Sequence, residues 1–107
     1  MTGDIGCYAM AMWTSGYRVS RTLQAKGSGI GVASGMGVLE PMGKNQPVFT
    51  VCGDFTFFHA AIPALINARF NASTFVSIIL DNSATAMTGF QPHPGGPRLY
   101  GAGGEIC

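Results

Sequence analysis

The order of apolar and polar residues along the chain predicts three strands separated by two helices. Residues 47–52 are apolar and β-branched, a pattern typical of a strand buried on both faces of a sheet, and residues 75–80 are predicted to form the next strand. A first strand is expected near residues 4–10. A glycine-rich run then leads into a predicted helix over residues 27–37.

The second predicted helix has the spacing of an amphipathic surface helix. Pro63 fits its first turn, where a missing backbone N–H is tolerated. One face carries apolar residues at helical spacing, namely Ile62, Leu65, Ile66 and Phe70. The resulting βαβαβ order indicates an α/β fold with three layers, in which helices cover a parallel sheet with right-handed crossovers.

Composition indicates one small domain with few charges. Only 10% of the 107 residues are charged, against roughly 25% in ordinary soluble domains, and the net charge is +1. Such a surface is typical of a piece covered by the rest of a longer polypeptide or by partner subunits; a small hydrophobic domain is the alternative. We therefore expect residues 1–107 to be a single domain and a fragment of a longer subunit, with a mobile tail at 97–107.

Charge and cysteine patterns exclude several classes of function. The six basic residues are scattered, which predicts no nucleic-acid partner. The absence of a membrane-spanning apolar run and of a signal peptide predicts no membrane partner and a cytoplasmic location. Cys7, Cys52 and Cys107 are widely spaced, so an iron–sulfur cluster would have to lie elsewhere.

Oxygen-bearing side chains follow the two clear strands. Asp54 comes directly after Gly53 at the end of one strand, and Asn82 follows the next. Ligands of parallel α/β sheets bind outside the carboxyl ends of the strands, and this pair of hard ligands suits a Mg²⁺ that carries a diphosphate. A turn or helix cap at Asp54 and an Asx-turn at Asn82 are the alternatives.

The chain resembles the thiamine diphosphate-binding region of the 2-oxoacid:ferredoxin oxidoreductase family, in its indolepyruvate branch. Five segments carry the resemblance: Gly53-Asp54-Phe55-Thr56-Phe57-Phe58-His59, Ile62-Pro63-Ala64-Leu65-Ile66-Asn67-Ala68, Leu80-Asp81-Asn82, Thr85-Ala86-Met87-Thr88-Gly89 and Gln91-Pro92-His93-Pro94-Gly95. Residues 11–25 and 97–107 match the family poorly. The resemblance implies the diphosphate half of a thiamine diphosphate-binding fold.

The resemblance also implies a set of ligands for Mg²⁺ and the diphosphate. The metal would be held by Asp54, by Asn82 and by the main-chain carbonyl of Ala84. Thr88 would offer a hydroxyl to the diphosphate, and Gly89 would allow a tight turn over it. An ordinary surface loop is the alternative for that segment.

Further candidates line the implied cofactor site. Gly53 and Phe55 would approach the phosphates, although the wider superfamily has glycine where this chain has Phe55. Cys7 matches a family segment beside the cofactor, where a buried small hydrophobe is expected rather than a nucleophile. His59 is the candidate for relaying protons in catalysis, with a helix-start histidine as the alternative. His93, between two prolines, is expected in a rigid lid.

The implied activity is the oxidative decarboxylation of arylpyruvates to aryl-acetyl-CoA, with electrons passed to ferredoxin. No residue here matches the glutamate of the family's pyrimidine-binding domain or its cluster-binding cysteines. We therefore expect a missing pyrimidine-binding domain, a partner subunit, iron–sulfur clusters confined to the missing parts, and an inactive isolated chain. A β-subunit-like part of another 2-oxoacid:ferredoxin oxidoreductase and a non-catalytic assembly remnant are the alternatives.

Overall fold

A computed structural model describes residues 1–12, 17–18, 20–43 and 45–96 of the protein. Two strands, β1 (Phe49–Gly53) and β2 (Val76–Leu80), form a parallel sheet. Their register pairs Phe49 with Val76 and Gly53 with Leu80, so both strands end at the same edge. The predicted α/β class and the two later strands are confirmed. The predicted mobile tail at 97–107 lies outside the described residues.

The first predicted strand is wrong as a regular strand. Thr2 alone forms parallel bridges, one to Thr22 and one to Thr50 of β1. The chain then leaves the sheet and forms a 3₁₀ helix over Cys7–Met12. The physical reason lies in Asp4, whose buried carboxylate binds backbone N–H groups of a distant turn and pulls the chain away from the sheet edge.

The helix α1 spans Ser28–Gly37, close to its predicted range. It begins after Gly27, whose φ of 84° lies in the left-handed region that glycine tolerates. It ends where the Val38 N–H still bonds to the Ser34 carbonyl at 3.1 Å, and a short 3₁₀ helix follows over Glu40–Met42.

The second helical region begins earlier than predicted, directly at the end of β1. It consists of α2 (Asp54–Thr56), a π-helical segment (Phe57–Ala61) and α3 (Ile62–Phe70). Pro63, in the first turn of α3, has no N–H for the bond that an uninterrupted α-helix would make. The wider π-helical turn directly before it is a common way to accommodate such a break in the hydrogen-bond ladder.

The core lies between α1, β1 and the second helical region. Ile30, Cys52 and Ala61 are fully buried, and partly buried side chains pack around them: Phe57, Ala64, Leu65 and Phe75. Because each of these elements contributes to the core, the start of α2 is held firmly at the carboxyl end of β1.

Much of the apolar surface lies on β2 and on the outer face of α3. In β2 only Ser77 is not exposed, although all the other residues of the strand are apolar. Ile66 and Phe70 of α3 are also exposed. Among the helices of the described ranges, none combines the length and apolar character needed to cross a membrane.

Candidate functional site

A cavity of about 360 Å³ lies at the carboxyl ends of β1 and β2. Its walls come from residues 5–8, Lys26, residues 53–56, 79–82 and 84–87. The position is the usual ligand site of parallel α/β sheets, and the volume lies in the range of small-molecule sites. The segments after both strands therefore meet at one cavity, as the sequence predicts.

The Asp54 carboxylate is the most constrained polar group of this cavity. The residue is only 3% exposed. Its Oδ1 accepts a bond from the Phe55 N–H at 2.9 Å. Its Oδ2 accepts the Asn82 N–H at 3.2 Å and lies 2.9 Å from His93 Nε2. Asp54 thus connects the end of β1 to the end of β2 and to the segment that carries His93.

The surroundings of Asp54 favour its charged form. Burial raises the pKa of the Asp54 carboxyl. The Phe55 N–H, the neighbouring Asp81 and His93 lower that pKa by a larger amount, so it lies below the usual range. Asp54 therefore carries its negative charge at neutral pH and can serve as an anionic oxygen ligand.

The loop after β2 brings Asn82 and Ala84 to the same cavity. Asn82 Oδ1 accepts the Ala84 N–H at 3.3 Å, which is the Asx-turn that the sequence left open. Asp81 Oδ1 accepts the Ser83 N–H at 2.8 Å in a second such turn, with Ser83 at a φ of 57°. The three predicted metal ligands therefore lie around one cavity, and their role as ligands stays a prediction.

Two cavity hydroxyls lack hydrogen-bond partners among the described residues. These are Tyr8 Oη and Thr85 Oγ1, both buried. Burial, reinforced by the charge of Asp4, raises the pKa of the Tyr8 phenol far above its ordinary value, so the group remains a donor. Unpaired buried hydroxyls are costly, and both of these belong to residues of the cavity wall. The resemblance implies that the segments containing both residues lie at the cofactor site, but the sequence analysis gave neither residue a role of its own.

Lys26 is the one basic side chain among the described residues that line the cavity. Its Nζ lies 4.3 Å from the centre of the Phe55 ring, a cation–π contact. Asp4 supports the turn that carries Lys26, because its carboxylate accepts the Gly27 N–H at 2.9 Å and the Gly29 N–H at 3.1 Å. Sequence analysis also missed these two residues, since the contacts span more than twenty residues.

Cys7 lies in the cavity wall, where the resemblance implies it. Its side chain is exposed, so the expectation of a buried small hydrophobe is wrong. The 3₁₀ helix that begins at Cys7 is the cause, because it turns this residue outward instead of continuing along the sheet.

His59 lies outside the cavity wall. It is exposed, and its ring centre lies 4.4 Å from that of Phe55. The π-helical segment sets this direction, so the expectation that His59 points into the cavity is not met. Its catalytic role stays a prediction that this geometry does not support.

Thr88 and Gly89 also lie beyond the residues that line the cavity. Thr88 Oγ1 donates to Gln91 Oε1 at 2.6 Å, and Gly89 has a φ of 121°. The tight turn expected at Gly89 is present. A pair of bridging residues, Thr85 and Gln91, closes this turn.

His93 is the main site residue that sequence analysis missed. Its placement in a rigid lid left no reason to expect contact with Asp54, yet its side chain is buried against that carboxylate. Its ring also stacks on Phe58, at 5.9 Å between centres. The only sequence signal was its place in the Gln91–Gly95 segment of the family resemblance.

Comparison with known proteins identifies the family. A family model described as "Thiamine pyrophosphate enzyme, C-terminal TPP binding domain" matches residues 4–105. The chain belongs to this thiamine pyrophosphate enzyme family. The match also runs through residues 11–25 and most of 97–107, which the resemblance had left out.

Curated relatives of this thiamine pyrophosphate domain share one name, "Indolepyruvate oxidoreductase subunit IorA". The protein from Methanothermobacter marburgensis is 47% identical over 94 residues, which are 88% of this chain and 14% of the relative. That from Archaeoglobus fulgidus is 42% identical over 106 residues, 98% of this chain and 16% of the relative. The chain thus spans less than a fifth of these relatives. No solved structure matches.

The cavity of this thiamine pyrophosphate domain fits a diphosphate and a hard cation. Asp54, Asn82 and Ala84 offer oxygen atoms, which are the ligands of hard cations. Among the described residues there is no group of three or more His, Cys, Asp or Glu, so a cation here would need neutral oxygen ligands beside Asp54. Lys26 and the unpaired hydroxyl of Thr85 complement an anionic ligand.

Proposed function

We propose that this domain binds the diphosphate of thiamine diphosphate together with Mg²⁺ in an indolepyruvate:ferredoxin oxidoreductase. The full enzyme would oxidatively decarboxylate arylpyruvates to aryl-acetyl-CoA. The observation that carries the proposal is the meeting of Asp54, Asn82 and Ala84 at one cavity in a member of the thiamine pyrophosphate family. The name of the curated relatives supports the substrate class.

Each ligand has a distinct part in holding the cation. Asp54 supplies the charge, because its pKa is lowered and it is ionised at neutral pH. Asn82 and the Ala84 carbonyl supply neutral oxygens, and Lys26 adds positive charge for the phosphates. Asn82 Oδ1 accepts one bond, from the Ala84 N–H at 3.3 Å, and its second lone pair stays available for a cation.

When bound, the cofactor supplies the carbanion chemistry, and the protein supplies position, charge and exclusion of water. Ile79, Leu80 and Met87 give the cavity an apolar wall, but they are themselves exposed, so exclusion of water on that side requires the other parts of the enzyme. The domain offers only the diphosphate half of the cofactor site, which is why the isolated chain is expected to be inactive.

The rest of the active site belongs to other parts of the enzyme. A pyrimidine-binding domain and a partner subunit complete the cofactor site, and iron–sulfur clusters outside this domain pass electrons to ferredoxin in the cytoplasm. Coenzyme A accepts the acyl group. Two observations support this division: the relatives are subunits much longer than this chain, and the residues of β2 are mostly exposed.

The test is removal of the Asp54 charge in the full-length subunit that contains this domain. Asp54→Asn keeps the shape of the side chain, so the protein should remain folded by circular dichroism. We expect Mg²⁺-dependent binding of thiamine diphosphate, measured by isothermal titration calorimetry, to fall by at least about 100-fold because the charged ligand is lost.

Glu40→Gln is the matched control, since Glu40 is an exposed acid on the 3₁₀ helix Glu40–Met42, outside the cavity wall. It should bind cofactor as the unaltered protein does. Unchanged cofactor affinity in Asp54→Asn would overturn the proposed function.

A further inference from the structure

His93 reaches the Asp54 carboxylate from a part of the chain 39 residues away. The Nε2–Oδ2 distance is 2.9 Å, and the two side chains are only 0% and 4% exposed. A bond between two buried polar groups is held in one geometry, because water is not present to replace either partner. His93 is therefore part of the surroundings that set the direction of the Asp54 carboxylate.

The backbone next to His93 determines which ring nitrogen carries the proton. The Gly95 N–H points to His93 Nδ1 at 3.1 Å, so Nδ1 must accept. A neutral imidazole that accepts at Nδ1 carries its hydrogen on Nε2. His93 is consequently a donor to Asp54 Oδ2.

Packing keeps the ring in this position. The His93 ring stacks on Phe58 at 5.9 Å between centres and an interplanar angle of 26°. Gly95 lies so close to Phe58 that a Cβ there would collide with the ring. Phe58 belongs to the π-helical segment that begins three residues after Asp54. The same helical region therefore carries Asp54, which accepts the bond from His93, and Phe58, which packs against the His93 ring.

The two oxygens of Asp54 are used unequally. Oδ2 accepts two bonds, from the Asn82 N–H and from His93 Nε2, whereas Oδ1 accepts one bond, from the Phe55 N–H. A carboxylate oxygen offers about two lone-pair directions. Oδ2 is therefore filled by bonds from described residues, and Oδ1 keeps a direction free for a ligand.

We propose that His93 is a positioning residue that holds Asp54 by Oδ2 and thereby presents Oδ1 to the cation. This inference rests on the proposed function, because it assumes that Asp54 binds the cation. His93 itself does not touch the metal. Groups that orient metal ligands in this way typically change metal affinity about 10- to 100-fold when they are removed.

Two variants of His93 distinguish the effect of its hydrogen bond to Asp54 from the effect of its packing against Phe58. In His93→Gln the side-chain amide carries an N–H near the position of Nε2, whereas His93→Leu fills the space beside Phe58 with no donor. Both are made in the full-length protein. The readouts are the Mn²⁺ dissociation constant by electron paramagnetic resonance and the Mg²⁺ concentration for half-maximal binding of thiamine diphosphate.

We expect His93→Leu to weaken Mn²⁺ binding at least about tenfold and His93→Gln to stay within about threefold of the unaltered protein. Equal metal affinity in His93→Leu and the unaltered protein would overturn the inference. Equal loss in both variants, in step with a lowered unfolding temperature, would do so too, because a purely structural role predicts that result.

A measurement on the unaltered protein keeps the inference testable if His93→Leu does not fold. Nitrogen-15 spectra of labelled histidine should show His93 protonated at Nε2 and not at Nδ1, both before and after saturation with Mg²⁺ and thiamine diphosphate. Protonation at Nδ1 alone in either state would overturn it. Asp54→Asn distinguishes the two proposals: if that variant loses cofactor binding while His93→Leu binds Mn²⁺ normally, only the role of His93 fails.

Discussion

β1 and β2 are paired residue for residue, yet their surroundings differ. In β1, residues 50–52 are buried by the core that this chain builds with α1 and the second helical region. In β2, four of five residues are exposed. The proposed function takes one oxygen ligand from beyond each strand, Asp54 after β1 and Asn82 after β2. One half of the site is thus fixed by the domain itself, whereas the other half follows a strand at the edge of the sheet.

The largest difference between the two sides should appear in their carboxylates. Asp4, next to β1, is fully buried and accepts three backbone N–H groups. Asp4→Ala leaves these donors unpaired, so we expect the free energy of unfolding to fall by about 3 kcal/mol or more. Urea unfolding followed by circular dichroism measures it.

The matched variant on the β2 side is Asp81→Ala. Asp81 is exposed; it accepts bonds from the Ser83 N–H and hydroxyl and also lies beside Asp54, whose pKa it lowers. Its loss should lower the free energy of unfolding by less than about 1 kcal/mol. Similar losses in the two variants would contradict the distinction between a self-supported β1 side and an edge on the β2 side.

A smaller effect is expected from identical apolar truncations in the two strands. Val51 of β1 is 8% exposed and Val76 of β2 is 51% exposed. Val51→Ala removes buried methyl groups and leaves a cavity, so it should lower the free energy of unfolding by about 2 kcal/mol. Val76→Ala should cost under about 1 kcal/mol in the isolated domain. A larger cost at Val76 in the full-length subunit than in the domain would show that the enzyme covers β2.

The last effect is confined to alkaline pH. Burial first, and then the charges of Asp4 and Asp54, raise the pKa of the Cys52 thiol from 9.0 to about 11. Because the folded pKa is the higher one, this contribution to stability is complete below about pH 9 and is lost as the pH rises towards 11. Unfolding temperatures should fall over this window.

Cys52→Ala should flatten the decline between pH 9 and 11. Cys7→Ala should leave it unchanged, since Cys7 is exposed. An identical decline in Cys52→Ala and the unaltered protein would assign the pH dependence to other groups.

Local pattern was enough to predict the parts of the fold that depend on neighbouring residues. The β-branched runs gave β1 and β2, and the glycine-rich run gave α1. Residues 4–10 looked like a strand because the pattern does not show that Asp4 binds Gly27 and Gly29.

The same limit applies to the site. The placement of Asp54 and Asn82 at one cavity could be predicted, because the carboxyl ends of paired parallel strands meet at one edge of the sheet. His93 could not be predicted as a contact of Asp54, since its position depends on a turn, on Phe58 and on the Gly95 N–H together. The direction of His59 depends on the π-helical segment, for which the sequence has no simple periodic signal.

The π-helical segment Phe57–Ala61 lies between Asp54, which faces the cavity, and α3, which packs against the core. Each residue of an α-helix advances the direction of side chains by about 100°. Deleting one residue within α3 would therefore turn the following side chains away from the core. Deleting one residue within the wide turn would leave an ordinary α-helical turn, with Asp54 and α3 both still in phase. The segment thus allows the chain length beside the cofactor cavity to vary while the packing of α3 is kept.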